Sequence, residues 1–316
     1  MIEGKHVAVV IPAYNEEKLL ETTLAGIPAL VDRVYVVDDA SRDATVGRAH
    51  TAASADSRIT VIVHERNRGA GAAVVTGYKR ALEDGADIAC VMNADNQMDP
   101  TELPALVTPV ANDEVDYTKA NRLFTGEAWD LIPHYRYLGN ALLSLLTKIA
   151  SGYWHVADSQ AGYTAINRRM LELVDLDNVY PRYGYPNDML VHLNVWSARV
   201  RDIPSRPIYG VGEKSGIRIH RVAPRIAWLL FKGFWWRMLQ KYVIRDFHPL
   251  VFFYALGTVM TTLGFLLGLV VASSRLFFGN EITTPTIVLV ALLLISGTQF
   301  TLFGMWFDQE SNKELR

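Results

Sequence analysis

Short apolar segments alternate with amphipathic segments over the N-terminal part of the chain. The apolar segments are rich in β-branched residues and occupy residues 6–11, 33–37, 59–63 and 88–92, with weaker examples at 115–119 and 200–203. Apolar residues recur at helical spacing between the early segments, at residues 16–27, 43–53, 70–82 and 101–110. Alternating strands and helices predict an α/β domain with a mainly parallel sheet, in which ligands bind at the carboxyl ends of the strands.

Two long uncharged segments lie near the C-terminus. Residues 249–274 and 282–307 contain no Asp, Glu, Lys, Arg or His. Because a bilayer core is crossed by about 20 apolar residues in a helix, each segment is long enough to span it. We therefore predict a transmembrane hairpin, and the alternative is a pair of buried helices in a soluble core.

The basic residues around the hairpin indicate its orientation. The loop between the two spans carries Arg275 and Glu281. The segment before the first span is strongly basic, with Lys214, Arg218, Arg221, Arg225, Lys232, Arg237, Lys241 and Arg245. The positive-inside rule then places the N-terminal part and the C-terminus in the cytoplasm, and the protein in the plasma membrane as a multi-pass protein.

Residues 223–243 combine aromatic rings with interspersed cations, which is typical of a helix in the lipid headgroup layer. Residues 137–149 fit either a second interfacial helix or a buried core helix. Together these patterns divide the chain into a cytoplasmic α/β domain (1–222), an amphipathic juxtamembrane region (223–248), a transmembrane hairpin (249–308) and a cytoplasmic tail (309–316).

Composition narrows the functional classes. The 316 residues contain 31 Lys and Arg against 33 Asp and Glu, a net charge of -2, which argues against a nucleic-acid partner. Half of the residues are hydrophobic, which excludes a disordered chain. The single cysteine, Cys90, excludes a disulfide framework.

Polar clusters follow several of the predicted strands. Asn15 follows the first strand, where it could cap a helix. Asp38 and Asp39 follow the second strand, and adjacent carboxylates are costly unless nucleotide donors or a positive loop pair with them. After the fourth strand, side-chain oxygens alternate at Asn93, Asp95, Gln97 and Asp99. Mg²⁺ or Mn²⁺ favours such ligands, although a polar turn before a proline is the simpler alternative.

Glycines at 69 and 71 follow the third strand and resemble part of a dinucleotide-binding fingerprint. Position 74 is Val where the fingerprint requires its third glycine, and the fingerprint belongs at the first strand-to-helix turn. We therefore reject this interpretation.

Taken in order, four segments resemble the family 2 glycosyltransferases with the GT-A fold: IPAYNEE, VVDDASRDAT, NRGAGAAVVTGYKRAL and NADNQMDP. Later segments narrow the resemblance to polyprenyl-phosphate glycosyltransferases of the dolichyl-phosphate mannose synthase group: KANR, RYLGN, DSQAGYTA, GYPNDM and RPIYGVGEKSGI. The resemblance implies a Rossmann-like catalytic domain with a mainly parallel sheet, followed here by interfacial helices and two transmembrane helices.

The resemblance also implies roles for particular residues. Nucleotide and donor binding would fall to Pro12, Tyr14, Glu16, Asp38, Asp39, Asn93, Asp188, Arg206, Lys214 and Ser215. A divalent cation, Mg²⁺ or Mn²⁺, would bind Asp95, assisted by Gln97 and by Asn93, where the family usually has Asp. The catalytic group would comprise Asp95, Asp158, Arg122 and Arg136, with the two arginines on the lipid phosphate and Asp158 oriented toward the sugar. A helix cap is the alternative for Asp188, and a solvated surface is the alternative for the two arginines.

The implied reaction is inverting transfer of a hexose from GDP-mannose or a UDP-sugar to a polyprenyl or dolichyl phosphate, giving a β-linked lipid-phosphate sugar. Two alternatives keep the fold: transfer to a glycan acceptor, and a non-catalytic relative that binds nucleotide sugars. Processive synthases usually carry a Gln-x-x-Arg-Trp motif that this sequence lacks. The expected partners are the nucleotide sugar, the lipid phosphate and the bilayer, and homo-oligomerisation is compatible with this expectation.

Overall fold

The computed structural model describes residues 1–124, 134–208 and 219–316, without the side chains of 135–138 and 219–221. The side chain of Arg136 and the whole of Lys214 and Ser215, for which roles were predicted, therefore lie outside what the structure describes. The chain forms two compact units, one comprising Met1–Arg237 with Glu314–Arg316 and the other comprising Met238–Lys313. The four-part division expected from the sequence stays a prediction.

The first unit is built on a seven-stranded sheet. Its strands are β1 (Val7–Ala13), β2 (Arg33–Asp38), β3 (Ile59–Val63), β4 (Ile88–Val91), β5 (Tyr117–Asn121), β6 (Thr164–Asn167) and β7 (Val200–Pro204). The spatial order is β3-β2-β1-β4-β6-β5-β7. Only β6 runs antiparallel to its neighbours, β4 and β5. The prediction of a mainly parallel α/β sheet is thus confirmed.

Ten α-helices are described. They are α1 (Leu20–Ala25), α2 (Thr45–Ala55), α3 (Ala70–Glu83), α4 (Leu103–Ala111), α5 (His134–Ser151), α6 (Arg168–Leu173), α7 (Tyr185–Val195), α8 (Ile219–Leu239), α9 (Leu250–Phe278) and α10 (Thr284–Ser311). Short 3₁₀ turns occupy Pro100–Glu102 and Leu176–Asn178, and a π-helical turn occupies Gln240–Arg245.

Both faces of the sheet are buried, which explains why its strands are continuously apolar in sequence. Val7, Val9 and Ile11 of β1 pack in one core cluster with residues of α1 and α4. Ala8 and Val10 face the opposite cluster, which includes residues of α3 and α7. Successive side chains of a strand point to opposite faces, so one apolar run fills two cores.

Strand β6, like helices α6 and α7, is an element that the sequence did not predict. Its four residues, TAIN, pair with β4 on one side and with β5 on the other. A central strand of this length receives its hydrogen bonds from two neighbours, and four residues are too few to display a periodic pattern. The strand matters for the site because its antiparallel direction brings the preceding residues, 157–163, to the carboxyl ends of β4 and β5.

Helices α5 and α8 are amphipathic in different ways. Ile226 and Leu230 of α8 pack with Ala150 and Val191, whereas Trp228 and Phe231 are exposed. Arg237 departs from the expectation of a headgroup-facing cation. It is fully buried and donates to the carbonyl oxygens of Ile149 and Ala150, where α5 ends.

Helix α5 exposes apolar side chains and buries polar ones, the opposite of an amphipathic helix on the surface of a soluble domain. Its apolar Leu142 and Leu145 are exposed, whereas Ser144 and Thr147 are buried. Asn187 of α7 donates to Thr147 Oγ1 at 2.7 Å. The buried face of α5 is therefore partly polar, and its exposed face is apolar, as an interfacial helix requires.

The second unit contains α9 and α10, which are both long and apolar enough to cross a membrane. Glycines allow the two helices to approach closely. A Cβ atom on Gly257 would lie 2.7 Å from Thr301 N, and one on Gly297 would lie 2.6 Å from Thr261 N. Near the end of α10, buried Asp308 accepts a hydrogen bond from Tyr242 at 2.9 Å.

Candidate functional site

The loops after β1 and β2 are joined by hydrogen bonds at the carboxyl edge of the sheet. Asn15 N donates to Ser41 Oγ at 2.9 Å, and Asn15 Oδ1 accepts from Arg42 N at 2.8 Å. Asn15 therefore bridges two loops rather than capping α1, whose first residue is Leu20. Three loops at this edge each contain a non-glycine residue with positive φ: Asn15 (59°), Ala40 (60°) and Asn96 (55°). Such backbone strain is concentrated at functional sites.

Asp38 and Asp39 have different environments despite being adjacent. Asp38 is fully buried, and its Oδ2 accepts from Ser41 N at 2.9 Å. Asp39 Oδ1 accepts from Arg68 N at 2.8 Å, and its Oδ2 accepts from Gly69 N at 2.7 Å. Asp39 thus holds the loop after β3 through backbone amides, whereas the sequence argument offered nucleotide donors or a positive loop as its partners. Its proposed contact with a nucleobase stays a prediction.

His64 completes the environment of Asp39 and was not identified from the sequence. Its Nδ1 lies 2.8 Å from Asp39 Oδ1, and its Nε2 lies 3.0 Å from Thr76 Oγ1. These contacts join β2, the end of β3 and α3. A histidine just after an apolar strand carries no distinctive sequence signal, because surface histidines have the same local pattern.

The glycines at 69 and 71 allow a close approach of two loops. Gly69 has a φ of 102°, and a Cβ atom there would lie 2.4 Å from the carbonyl oxygen of Pro181. A Cβ atom on Gly71 would lie 2.3 Å from the carbonyl oxygen of Tyr180. Packing against residues 180–182 therefore explains this glycine pair without a dinucleotide.

Negative charge accumulates near Glu16 and Asp95. Burial, together with the charges of Asp95 and Asp43, raises the pKa of Glu16 to about 7. Burial together with Asp95 and Glu16 also raises the pKa of Tyr183. A carboxylate that is repelled by neighbouring carboxylates favours a bound cation.

The segment with alternating side-chain oxygens lies beside these acids. Gln97 N donates to Asp95 Oδ1 at 3.2 Å, and Gln97 Nε2 donates to the carbonyl oxygen of Ile208 at 3.2 Å. Asn93 N donates to Met98 Sδ at 3.1 Å. Within residues 1–124, 134–208 and 219–316, no group of three or more His, Cys, Asp or Glu side chains could hold a metal ion. The donors present fit a hard cation that completes its shell with substrate phosphates, as Mg²⁺ commonly does.

Arg122 and Asp158 form an ion pair on the other side of the site. Arg122 Nε lies 2.7 Å from Asp158 Oδ2, and Arg122 NH2 lies 3.2 Å from Oδ1. The Asp158 side chain is fully buried, whereas that of Arg122 is 26% exposed. Burial alone would raise the pKa of Asp158, but the charge and hydrogen bonds of Arg122, with the charge of Lys119, hold it below its usual value.

The residues before β6 connect the two sides. Gln160 N and Ala161 N donate to Asp158 Oδ1 at 3.1 and 3.2 Å. A Cβ atom on Gly162 would lie 3.6 Å from Asn93 Oδ1 and 3.2 Å from Tyr185 Oη. The segment that carries Asp158 is therefore in close proximity to Asn93, as the sequence-based grouping of these residues required.

Two further charged residues, Lys119 and Asp202, lie near Asp158. Neither was identified as a site residue from the sequence. Lys119 is fully buried, and burial lowers its pKa to about 8. Burial raises the pKa of Asp202 to about 6. Asp202 Oδ2 accepts from Ala157 N at 2.7 Å and from Asn121 Nδ2 at 2.9 Å.

Asp188 lies in the first turn of α7 and is mostly buried. Its Oδ2 accepts from Tyr180 N at 2.7 Å, so the carboxylate holds the loop that packs on Gly69. Burial raises the pKa of Asp188, and His192 Nε2 lies 3.6 Å from it. This geometry favours the role of closing a loop, and a sugar contact by Asp188 stays a prediction.

The remaining predicted residues lie at the rim. Tyr14 is exposed and Pro12 is half-buried. Arg206 is also exposed, and its backbone N donates to Glu102 Oε1 at 2.9 Å. The structure thus brings Glu16, Asp39, Asn93, Asp95 and Asp158 to one edge of the sheet, and the ligands assigned to them remain to be tested.

Comparison with known proteins places the chain in a defined group. The model of the family described as "Glycosyl transferase family 2" matches residues 8–174. A UDP-N-acetylglucosamine–dolichyl-phosphate N-acetylglucosaminyltransferase of Methanococcus voltae is 29% identical, over 65% of this chain and 86% of that protein. An undecaprenyl-phosphate mannosyltransferase of Micrococcus luteus is 32% identical, over 63% of this chain and 82% of that protein.

A solved structure with the same fold is the glucosyl-3-phosphoglycerate synthase of Mycobacterium tuberculosis, determined with Mn²⁺, uridine diphosphate and glucosyl-3-phosphoglycerate. The TM-score is 0.56 at 20% identity, and the match covers 74% of this chain and 80% of that one. At this identity the likeness establishes the fold and leaves the substrates open.

Proposed function

Because the chain belongs to glycosyl transferase family 2 and is a glycosyltransferase, we propose that it transfers a hexose from a nucleotide sugar to a polyprenyl or dolichyl phosphate. The observation that carries the proposal is the Arg122–Asp158 ion pair, whose carboxylate lies on a segment that passes close to Asn93 beside the acidic loops. This arrangement offers a cation for a phosphate acceptor close to a place for a charged donor. The names of the relatives from Methanococcus voltae and Micrococcus luteus support the same acceptor class.

On the donor side, Tyr14 and Pro12 would lie along the nucleoside, and Asp39 would orient the loop that encloses the base. Asp95, with Gln97, Asn93 and the neighbouring Glu16, would hold Mg²⁺ or Mn²⁺. When bound, such an ion neutralises the developing charge of the leaving nucleoside diphosphate. Arg206, together with Lys214 and Ser215 outside the described residues, would bind the same diphosphate.

On the acceptor side, a phosphate monoester has a second pKa near 6 and is largely a dianion at pH 7. Such a nucleophile needs alignment with the anomeric carbon more than it needs a general base. Arg122 would bind the phosphate with its guanidinium while Asp158 holds that guanidinium in place, and Arg136 would add a second cation. Direct displacement inverts the anomeric centre, so an α-linked donor gives a β-linked product.

A lipid acceptor requires the enzyme to work at a membrane surface. The apolar exposed residues of α5 and α8 suit that position, and α9 and α10 are candidate membrane spans. With the basic segment on the cytoplasmic side, the catalytic unit would face the cytoplasm and use cytoplasmic nucleotide sugars.

The test is a transfer assay with the purified full-length protein, Mn²⁺ or Mg²⁺, a panel of radiolabelled GDP- and UDP-sugars, and polyprenyl phosphate. We expect label from one donor to become extractable into butanol. Label that appears only in a glycan would favour the other acceptor class. Absence of transfer from every donor, with nucleotide sugar still bound, would favour a non-catalytic relative.

A further inference from the structure

The segment 157–161, which carries Asp158, is held at both ends by charged residues of β5 and β7. At one end, Asp202 Oδ2 accepts from Ala157 N at 2.7 Å. At the other end, Lys119 Nζ donates to the carbonyl oxygen of Ala161. Lys119 itself is fully buried, and Asp202 is at most partly exposed.

The two residues are also linked to Arg122. Asn121, between Lys119 and Arg122, donates from Nδ2 to Asp202 at 2.9 Å, and its Oδ1 accepts from Leu123 N at 3.0 Å. The end of β5, the end of β7 and the segment before β6 thus form one hydrogen-bonded group beneath the Arg122–Asp158 pair.

The group has balanced charges. Lys119 and Arg122 supply two cations, and Asp158 and Asp202 supply two carboxylates. Lys119 interacts electrostatically with the other three, and Asp158 interacts with both Arg122 and Asp202. Lys148 of α5 also acts on Asp202, in the same direction as Lys119. A buried charge without compensation is expensive, so removal of one member should disturb the others.

Asp202 is the member whose charge is least compensated. Its Oδ1 has no hydrogen-bond partner among the described residues. Burial raises its pKa to about 6, and burial lowers that of Lys119 to about 8. Each residue therefore changes charge within the pH range in which the enzyme can be assayed.

We propose that Lys119 and Asp202 are positioning residues that fix the segment 157–161, and through it the Asp158 carboxylate and the Arg122 guanidinium, for the transfer step. This inference rests on the proposed function and adds two residues to it. Neither residue needs to touch a substrate. Their contribution is a balanced pair of charges that holds the Asp158 carboxylate against the Arg122 guanidinium.

The test uses Lys119→Met, Asp202→Asn and the double variant in the full-length protein. Lys119→Met leaves two buried carboxylates for one arginine. We expect kcat to fall about 100-fold at pH 8, since small displacements of catalytic groups cost this much, with little change in donor KM. Lowering the pH toward 6 should restore part of the loss, because Asp202 then takes up a proton.

Asp202→Asn leaves the opposite imbalance and removes a charge that raises the pKa of Lys119. Its kcat should therefore improve as the pH rises toward 8 and Lys119 loses its proton. The double variant removes one charge of each sign, and we expect it to recover at least tenfold over Lys119→Met. Opposite pH trends in the single variants, with mutual rescue in the double variant, are not expected from a purely steric role.

Hydrogen–deuterium exchange of the amides in 157–161 gives a readout that needs no substrate. We expect faster exchange in both single variants and slower exchange again in the double variant. The matched control is Asp116→Asn, which removes a buried carboxylate that accepts from Arg199 N at 2.8 Å near the start of β5. It should lower thermal stability without either pH trend and without loosening 157–161.

The outcomes separate the two proposals. A wild-type protein that transfers no sugar to polyprenyl phosphate contradicts the proposed function, and exchange in 157–161 then decides alone whether the charged group holds that segment. An active wild type with unchanged exchange in the single variants overturns the positioning role. Faster exchange with unaltered kcat and pH profile also overturns it.

Discussion

The carboxylates in the two halves of the site have different hydrogen-bond and charge partners. At the ends of β1, β2 and β4, Asp39 accepts from the backbone amides of Arg68 and Gly69, in addition to its contact with His64. At the ends of β5 and β7, Asp158 is paired with the guanidinium of Arg122. Amide dipoles orient a carboxylate and stabilise its charge, but they do not cancel it, whereas an arginine does.

This difference indicates what kind of charged ligand suits each half of the site. In the first half, burial and the charges of Asp95 and Asp43 raise the pKa of Glu16 to about 7, so carboxylates lie close to one another there. The second half is balanced by its own residues, with Lys119 and Arg122 against Asp158 and Asp202. A bound cation therefore suits the first half, and an anionic acceptor that shares an existing arginine suits the second.

The largest expected effect comes from removing the central carboxylate of the first half. Asp95→Ala should lower kcat by about 1,000-fold or more, a loss of the size found when a group that stabilises transition-state charge is removed. Butanol-extractable product measures this, and added Mn²⁺ should not restore it. Asp177→Asn, which removes an exposed carboxylate paired with Lys79, is the control and should keep full turnover. Normal turnover in Asp95→Ala would remove the metal role.

In the second half, Arg122→Gln should mainly weaken use of the lipid phosphate. We expect its acceptor KM to rise about tenfold to 100-fold, as the loss of a charge-assisted bidentate contact implies, with a smaller change in donor KM. An unchanged acceptor KM would contradict the proposed contact of Arg122 with the lipid phosphate.

The same variant should change the pH dependence of stability. In the wild type, the lowered pKa of Asp158 contributes stability that is present above the unfolded pKa and is lost on acidification. Without Arg122, burial should raise that pKa, so the stability deficit of Arg122→Gln should widen from pH 4 to pH 8. Thermal unfolding across this range measures the deficit. A deficit that is constant with pH would contradict the charge-pairing account.

Glu16→Gln sharpens the contrast from the first half. The folded pKa of Glu16 is raised from 4.5 to about 7, so its contribution to stability declines as pH rises through that interval. The variant should match the wild type near pH 4 and melt at a higher temperature at pH 8. If Mg²⁺ binds beside Glu16, adding the ion should raise the melting temperature of the wild type at pH 8 and so narrow its difference from the variant. Equal melting at both pH values would contradict the raised pKa of Glu16.

The smallest effect concerns backbone strain. Ala40 has a φ of 60° between Asp39 and Ser41, and the left-handed region costs an L-residue about 1–2 kcal/mol. Glycine removes this strain but makes the unfolded chain more flexible, so Ala40→Gly should stabilise the protein by about 0.5 kcal/mol. Denaturant unfolding measures the change in stability. Ala53→Gly, inside α2, is the matched control that should destabilise, because glycine is a poor helix former.

Much of the first half could be predicted because its signals are local in sequence. Strands β1, β2 and β4 are buried on both sides and therefore appear as apolar runs, and each is followed directly by its polar loop. Asp39, Asn93 and Asp95 were identified as site residues for this reason. The partners of Asp39 were not, because His64, Arg68 and Gly69 are distant in sequence and reach it only through the pairing of β2 with β3.

The second half was harder to predict because its chemistry depends on non-local pairing. Strand β6 carries no pattern of its own, yet it delivers Asp158 to the end of β5. Lys119 lies in a strand and Asp202 in a weakly apolar segment, and neither reveals from sequence that it is buried. Arg237 and Lys241 were expected at a polar surface, and both are buried in the structure.

By itself, the sequence determined the fold class, the family, the two candidate membrane spans and most of the carboxylates at the edge of the sheet, because periodicity and composition are properties of short segments. Only the tertiary structure decided which charges compensate one another. Burial and the distance between side chains far apart in sequence set those energies, and both exist only after β5, β6 and β7 have come together.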